Sequence, residues 1–396
     1  MAEQTKTGRG AVSRRSVLKS AAAASGFAAP MLNFGAFQLF AKSPKTYSAK
    51  AIDLVNSNLV IDMLSVMGSL SEEMGALFSE KPQLKDGFRI SPEQLEKLRA
   101  SGVTVFHPAI GLDTYEEALE FIARTNAYVA DYPEDLRRID TVVDMEKAKA
   151  EGKLGFIVGL QNSNHFRDVD DVNRFYTLGQ RVSQLTYNAR NLIGTGSTDR
   201  NDSGLSDFGV AIVERMNELG MAVDVSHCGD TTTLDAFDVS KKPVLITHSN
   251  VRALAGGHVR CKSDEAIKKM AAAGSVMGIT GVRMFVRDKE PTTIEHLLDH
   301  YDYVAKLVGV EHLGVGSDMD PDGYDDIAEP AYSKLKGSYK GSYAFRKKID
   351  TDGFDHPQKI YDLTEGLIRR GYSDADIAGI LGGNFKRVLG EIWKPA

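Results

Sequence analysis

Short apolar runs of strand length alternate along the chain with longer segments whose apolar positions recur at helical spacing. Runs rich in aliphatic and β-branched residues fall at Leu59 to Met63, Val103 to Phe106, Leu154 to Leu160, Val182 to Thr186, Ala222 to Val225, Val244 to Thr247, Ser275 to Ile279 and Leu313 to Gly316. Bounded by Gly and polar residues, they read as buried strands. Helix signals lie between them. Ser91 is an N-cap candidate before Pro92, which suits a first helical position, and the helix is expected over Glu93 to Ala100. Ser206 precedes a helical pattern over Asp207 to Leu219 that Gly220 ends. Strand, helix, strand in repetition predicts a parallel sheet covered by helices, and eight such units predict closure into a (β/α)8 TIM-type barrel. An open doubly wound sheet is the alternative, but no G-x-G-x-x-G follows the first run. From about Asp355 to Ala396, with Ser373-Asp374-Ala375-Asp376 as a helix start, extra C-terminal helices are expected outside the barrel.

Composition changes this picture little. The chain has 396 residues, 42% hydrophobic and 26% charged, with a net charge of −6. Both signs are interspersed, so no basic stripe is available to a nucleic acid, and that class of partner is excluded. The first forty or so residues differ from the rest. Ser13-Arg14-Arg15-Ser16-Val17-Leu18-Lys19 precedes the small, uncharged stretch from Ser20 to Leu32, the pattern of a twin-arginine export signal. Residues 1–42 are therefore expected to be an export signal and 43–396 a single domain. A basic start before an Ala-rich helix is the plainer alternative. Leu39-Phe40-Ala41 only weakly imitates a cleavage site, so retention as a membrane anchor stays open. No later run reaches the roughly 20 apolar residues that a membrane-spanning helix needs.

Three runs end in polar residues that can hold a metal: Val223-Asp224-Val225-Ser226-His227, Val244-Leu245-Ile246-Thr247-His248-Ser249 and Leu313-Gly314-Val315-Gly316-Ser317-Asp318. A parallel barrel delivers its functional side chains to the carboxyl-end rim, and neutral imidazole with carboxylate is a donor set for zinc and similar ions. On this register the rim also collects Leu64, His107, Gln161 and Tyr187. Any one of these residues can instead be a hydrogen-bonded structural group. For His107, ahead of Pro108, that is the preferred reading, with a substitute metal ligand as the alternative.

The order of ligands along the chain, with Leu178 to Thr186, Gly204-Leu205-Ser206-Asp207-Phe208-Gly209, Met216 to Met221, His258-Val259-Arg260 and Gly382-Gly383-Asn384-Phe385, resembles the membrane or renal dipeptidases of the amidohydrolase superfamily. The resemblance implies a metal-dependent hydrolase that cleaves a dipeptide or small amide bearing a free carboxylate. It implies that His227 and His248 hold a divalent ion, that Asp318 lies at the metal and handles the proton of the attacking water, and that Arg260 binds the substrate carboxylate. The departures are specific. Asp62-Met63-Leu64-Ser65-Val66 has Leu64 and Val66 where the family's first-metal His and Asp stand, Gln161 replaces a bridging glutamate, and Tyr187 replaces a substrate-side histidine. One zinc ion is expected rather than two, with Gln161 and Tyr187 facing substrate and Tyr187 positioned to hydrogen-bond the developing oxyanion. A ligand-binding protein that has lost turnover, or a mononuclear hydrolase or lyase of another small substrate, is the alternative. The partner is a small peptide-like molecule, and a homodimer is left open.

Two cysteines, Cys228 and Cys261, directly follow His227 and Arg260. An oxidising compartment favours a disulfide, a thiolate ligand would offset the lost carboxylates, and two inert buried thiols are the third option.

Overall fold

The structure, a computed structural model, describes residues 36–37, 45–65, 92–325, 327 and 329–393. Ser13 to Leu32, the Leu39-Phe40-Ala41 segment, Val66 and the proposed cap Ser91 lie outside them. The chain divides into two compact units, Met1–Asp53 and Leu54–Ala396. In the first, Ala36–Phe37 pairs antiparallel with Tyr47–Ser48.

The second unit is built on eight parallel segments in the predicted order. Ile61–Asp62 pairs with Val105–Phe106, which pairs with Leu154–Phe156. Gly159–Leu160 pairs with Val182–Gln184, which pairs with Ala222–Asp224. A single bridge from Asp224 to Leu245 leads to Ile246–Ser249. Met277–Ile279 and Leu313–Val315 follow, and Val315 pairs back with Asp62. Each segment thus has a parallel neighbour on both sides, the arrangement expected of a barrel.

Two details differ from the sequence reading. The run Leu154 to Leu160 is two strands, broken at Ile157-Val158, and its first half also pairs with an additional strand, Leu136–Arg138. That strand carries two arginines and pairs on one side only, so it lacks the apolar run that betrays a central strand. The sixth strand begins at Ile246 and runs through His248 to Ser249.

Helices start where their caps say. The Ser206 side chain accepts from Gly209 N at the head of Asp207–Leu219, and Gly220 closes it with a left-handed φ of 83°. Ser373 caps Asp374–Ala378. The C-terminal helix Asn384–Ile392 places Phe385, Val388, Leu389 and Ile392, with Trp393, against Ile61, Val105, Ile157, Val182, Ala222, Leu245 and Val276 in one buried cluster. This apolar plug stands on the early residues of the strands, leaving their carboxyl ends for polar side chains. Among the described residues no helix is long and apolar enough to cross a membrane.

Candidate metal centre

The fifth and sixth strands present His227 and His248 side by side, with their Nε2 atoms 2.9 Å apart. Asp224, 1% exposed, makes this pairing rigid. Its carboxylate accepts from Ser226 N (3.0 Å), Ser226 Oγ (2.6 Å), Thr247 N (3.1 Å) and Thr247 Oγ1 (2.7 Å), tying together the two loops that carry the histidines. Four donors compensate a carboxylate for the water it loses on burial. The same bonds fix the imidazole tautomers. Thr247 gives its proton to Asp224, so its oxygen accepts from His248 Nδ1 at 2.8 Å. The Asn188 side-chain oxygen accepts from His227 Nδ1 at 2.7 Å. Both Nε2 atoms therefore turn lone pairs toward each other. Burial, reinforced by the Arg260 guanidinium, holds both rings well below the ordinary imidazole pKa, so they are neutral.

Two lone pairs at this separation repel unless a cation stands between them. Zinc–imidazole bonds of about 2.0–2.1 Å reach one ion from both nitrogens, so the pair fits a divalent ion. Among the described residues, no group of three or more His, Cys, Asp or Glu side chains comes together in a way that could hold a metal. The protein thus offers two imidazoles, and Asp318 does not complete a three-ligand cage.

Asp318 follows the eighth strand with a left-handed φ of 53°. Its N–H donates to Leu64 O at 2.8 Å. Holding a non-glycine residue there costs on the order of 1 kcal/mol, and such strain collects at functional sites. Burial pushes the Asp318 carboxyl up to about 7; Arg260 opposes the shift and Asp62 adds to it. Two residues earlier, Gly316 lets the end of the eighth strand lie close to the sixth: a Cβ there would lie 1.9 Å from Thr247 O.

Arg260, also 1% exposed, donates through one terminal nitrogen to Ser226 O and through the other to His248 O, the latter at 2.8 Å. Its Nε has no partner among the described residues. Two of the five guanidinium N–H groups are thus committed to the histidine loops and three are left. The Tyr187 ring stacks on His227, with centroids 4.4 Å apart and planes at 21°. Its hydroxyl bonds the Tyr339 hydroxyl at 2.8 Å, and Tyr339 stacks in turn on Tyr343. Burial keeps the Tyr187 phenol well above its ordinary pKa and hence protonated. The Gln161 side-chain amide donates to Ala109 O at 2.7 Å.

At the first strand Leu64 is fully buried and contributes hydrogen bonds only through its backbone. Asp62 accepts from Ser317 N (2.8 Å), Ser317 Oγ (2.5 Å) and Leu64 N (3.3 Å), latching the first strand to the eighth. Burial, partly offset by these bonds, raises its pKa to about 6. A folded pKa above the unfolded 3.8 means that the stability this group contributes is present in acid and lost as pH rises through 6. The unfolding free energy of the wild type is therefore expected to fall, relative to Asp62→Asn, by about 2 kcal/mol between pH 4 and pH 7. Denaturant titrations in chelator at both pH values measure the gap, and a constant gap refutes the assignment.

His107 donates from Nδ1 to Met63 O at 2.7 Å, and its Nε2 has no partner among the described residues. The ring occupies the space a side chain on Gly159 would need, since a Cβ there would lie 1.9 Å from Nε2. Cys228 and Cys261 are free and buried, so the disulfide is absent. Burial raises both thiols, Cys261 to about 12, which leaves them protonated. Of the three options for the cysteines, the inert one describes them.

Sequence reasoning did not single out Asp224, Asn188, Thr247, Lys262 or the Tyr339–Tyr343 wall. Asp224 and Thr247 stand within the strand-end motifs beside the histidines, but the bonds that join them link distant parts of the chain.

A family model described as membrane dipeptidase (peptidase family M19) matches residues 56–331 and 337–395. An uncharacterized dipeptidase of Schizosaccharomyces pombe is 31% identical over 226 residues, 54% of each chain. Dipeptidase verJ of Clonostachys rogersoniana is 30% identical over 244 residues, 61% of this chain and 56% of that one. The chain thus spans about half the length of the curated relatives it matches. An amidohydrolase from Pseudomonas aeruginosa superposes with a TM-score of 0.75 at 28% identity, over 87% of this chain and 99% of the other. A metallopeptidase from Rhodobacter sphaeroides, solved with a phosphinate mimic of L-Ala-D-Ala, shares the fold at a TM-score of 0.63 and 18% identity, over 85% and 99% of the two chains. With the family model matching nearly all of the second unit, the chain belongs to the membrane dipeptidase family.

Proposed function

We propose that the protein hydrolyses a dipeptide or a small amide with a free carboxylate, using one divalent ion, zinc by its donor set, held between His227 and His248. The observation that carries this reading is the pair of neutral imidazoles whose lone pairs converge at 2.9 Å. Membership of a dipeptidase family and the dipeptidase names of the two relatives support the reaction class. A divalent ion there would acidify water toward a pKa of about 7 and polarise a carbonyl oxygen.

The remaining roles fall to this chain's own groups. Asp318, with a carboxyl pKa of about 7, takes a proton from water and returns it to the leaving amine at neutral pH. Arg260 uses its uncommitted N–H groups on the substrate carboxylate. Tyr187, a protonated phenol over the His227 ring, gives up its bond to Tyr339 to donate to the developing oxyanion. Gln161 lines the substrate side. A single ion follows from Leu64, Val66 and Gln161 standing where the family's other ligands stand.

The same substitutions favour a second reading, a protein that binds such ligands without turnover. Initial rates on a panel of dipeptides and N-acyl amino acids separate the two. Hydrolysis that a chelator abolishes and zinc or manganese restores is expected; binding without turnover at saturating metal would replace enzyme by binder. We also propose export through the Arg14-Arg15 signal, with residues 43–396 as the mature domain and a membrane link only through an uncleaved signal.

A further inference from the structure

Lys262 is 1% exposed and has no carboxylate within ion-pair distance among the described residues. Its ammonium has three N–H groups, and three oxygens receive them: Val225 O at 2.6 Å, Cys228 O at 3.1 Å and Thr233 Oγ1 at 3.0 Å. Burying a lone charge is costly, and a methionine would fill similar space without that cost. A buried charge with these three acceptors points to a role beyond filling space. Val225 and Cys228 are the residues on either side of the Ser226-His227 pair, so the ammonium closes the backbone around His227 from behind. The Lys262 backbone meanwhile donates to Asn250 O at 2.9 Å and accepts from Arg252 N at 3.0 Å, which fastens it to the segment following His248. One residue thus holds the loop of one histidine through its side chain and the loop of the other through its main chain.

We propose that Lys262 is a positioning residue that sets the separation of His227 and His248. The inference rests on the reading that these two histidines hold a divalent ion. A metal ligand kept in place by its loop binds without first being ordered, and loss of such outer support costs about 10–100-fold in metal affinity. With Lys262→Met the Val225 and Cys228 carbonyls lose their common donor and the His227 loop relaxes.

The test is the zinc dissociation constant of the purified full chain, measured by competition with a chromophoric chelator. Lys262→Met should weaken zinc binding about tenfold or more. Thr233→Val, which removes only the acceptor that does not flank His227, should stay near the wild type. A folded Lys262→Met protein with wild-type zinc affinity overturns the proposal, as does equal weakening by Thr233→Val. If Lys262→Met does not fold, Lys262→Gln takes its place. Its amide keeps two N–H groups and should give an intermediate constant, and wild-type affinity in it would equally overturn the proposal. A wild type that binds no zinc refutes the two-histidine reading itself, an outcome distinct from failure of the lysine's role alone.

Discussion

Asp318→Asn is expected to lower turnover by about 100-fold or more while leaving KM within a few-fold, the scale of losing a general acid or base. Asparagine keeps the size of the side chain and tolerates the left-handed backbone that Asp318 adopts. What it cannot do is carry a proton. The pH dependence has a definite sign. The carboxyl has a pKa of about 7 in the folded chain, so the basic form, and with it wild-type turnover, should decline as pH falls below 7. The variant's residual rate should lack that limb. Stability runs the other way: a folded pKa above the unfolded 3.8 means that the group's contribution is lost as pH rises through 7. Asp318→Asn should therefore be at least as stable as the wild type at pH 8, and inactivity cannot be assigned to unfolding. Steady-state kinetics and thermal melts from pH 5 to 9 check both statements. A variant that keeps more than a tenth of the wild-type turnover removes Asp318 from the chemistry.

His248→Ala should abolish zinc binding and turnover together and leave the barrel folded. If binding energies of about 10–16 kcal/mol are shared among four ligands in structural zinc sites, losing one of two imidazoles weakens the ion by at least about 100-fold. The fold should survive because its apolar cluster, from Ile61 through Val276 to Trp393, does not include His248. Thr247 keeps its bonds to Asp224 in the variant, so the two loops stay joined. Far-ultraviolet circular dichroism, a melt in chelator and the zinc titration together check this. Unfolding in chelator would show that the imidazole is part of the structural core.

How much was legible in the chain depends on whether a residue's role is set by its neighbours in sequence or by distant ones. The eight strands declared themselves as apolar runs. His227, His248 and Asp318 stood at strand ends by register alone, and the structure brings the two imidazoles together. The strand Leu136–Arg138 was hidden because its polar residues carry no run to detect. Asp224 sits in a motif that was noticed, yet its four acceptor bonds join loops twenty residues apart, which spacing cannot reveal. Tyr339 reaches Tyr187 from the far side of the chain. Lys262 looked like one more charged residue, since only burial shows that it is not solvated.

The central claim is a single ion between two histidines. Elemental analysis of the full chain, saturated with zinc and then freed of excess metal, tests it most directly. One zinc per wild-type chain and none in His248→Ala is the predicted result; two per wild-type chain, or zinc retained by the variant, would contradict it.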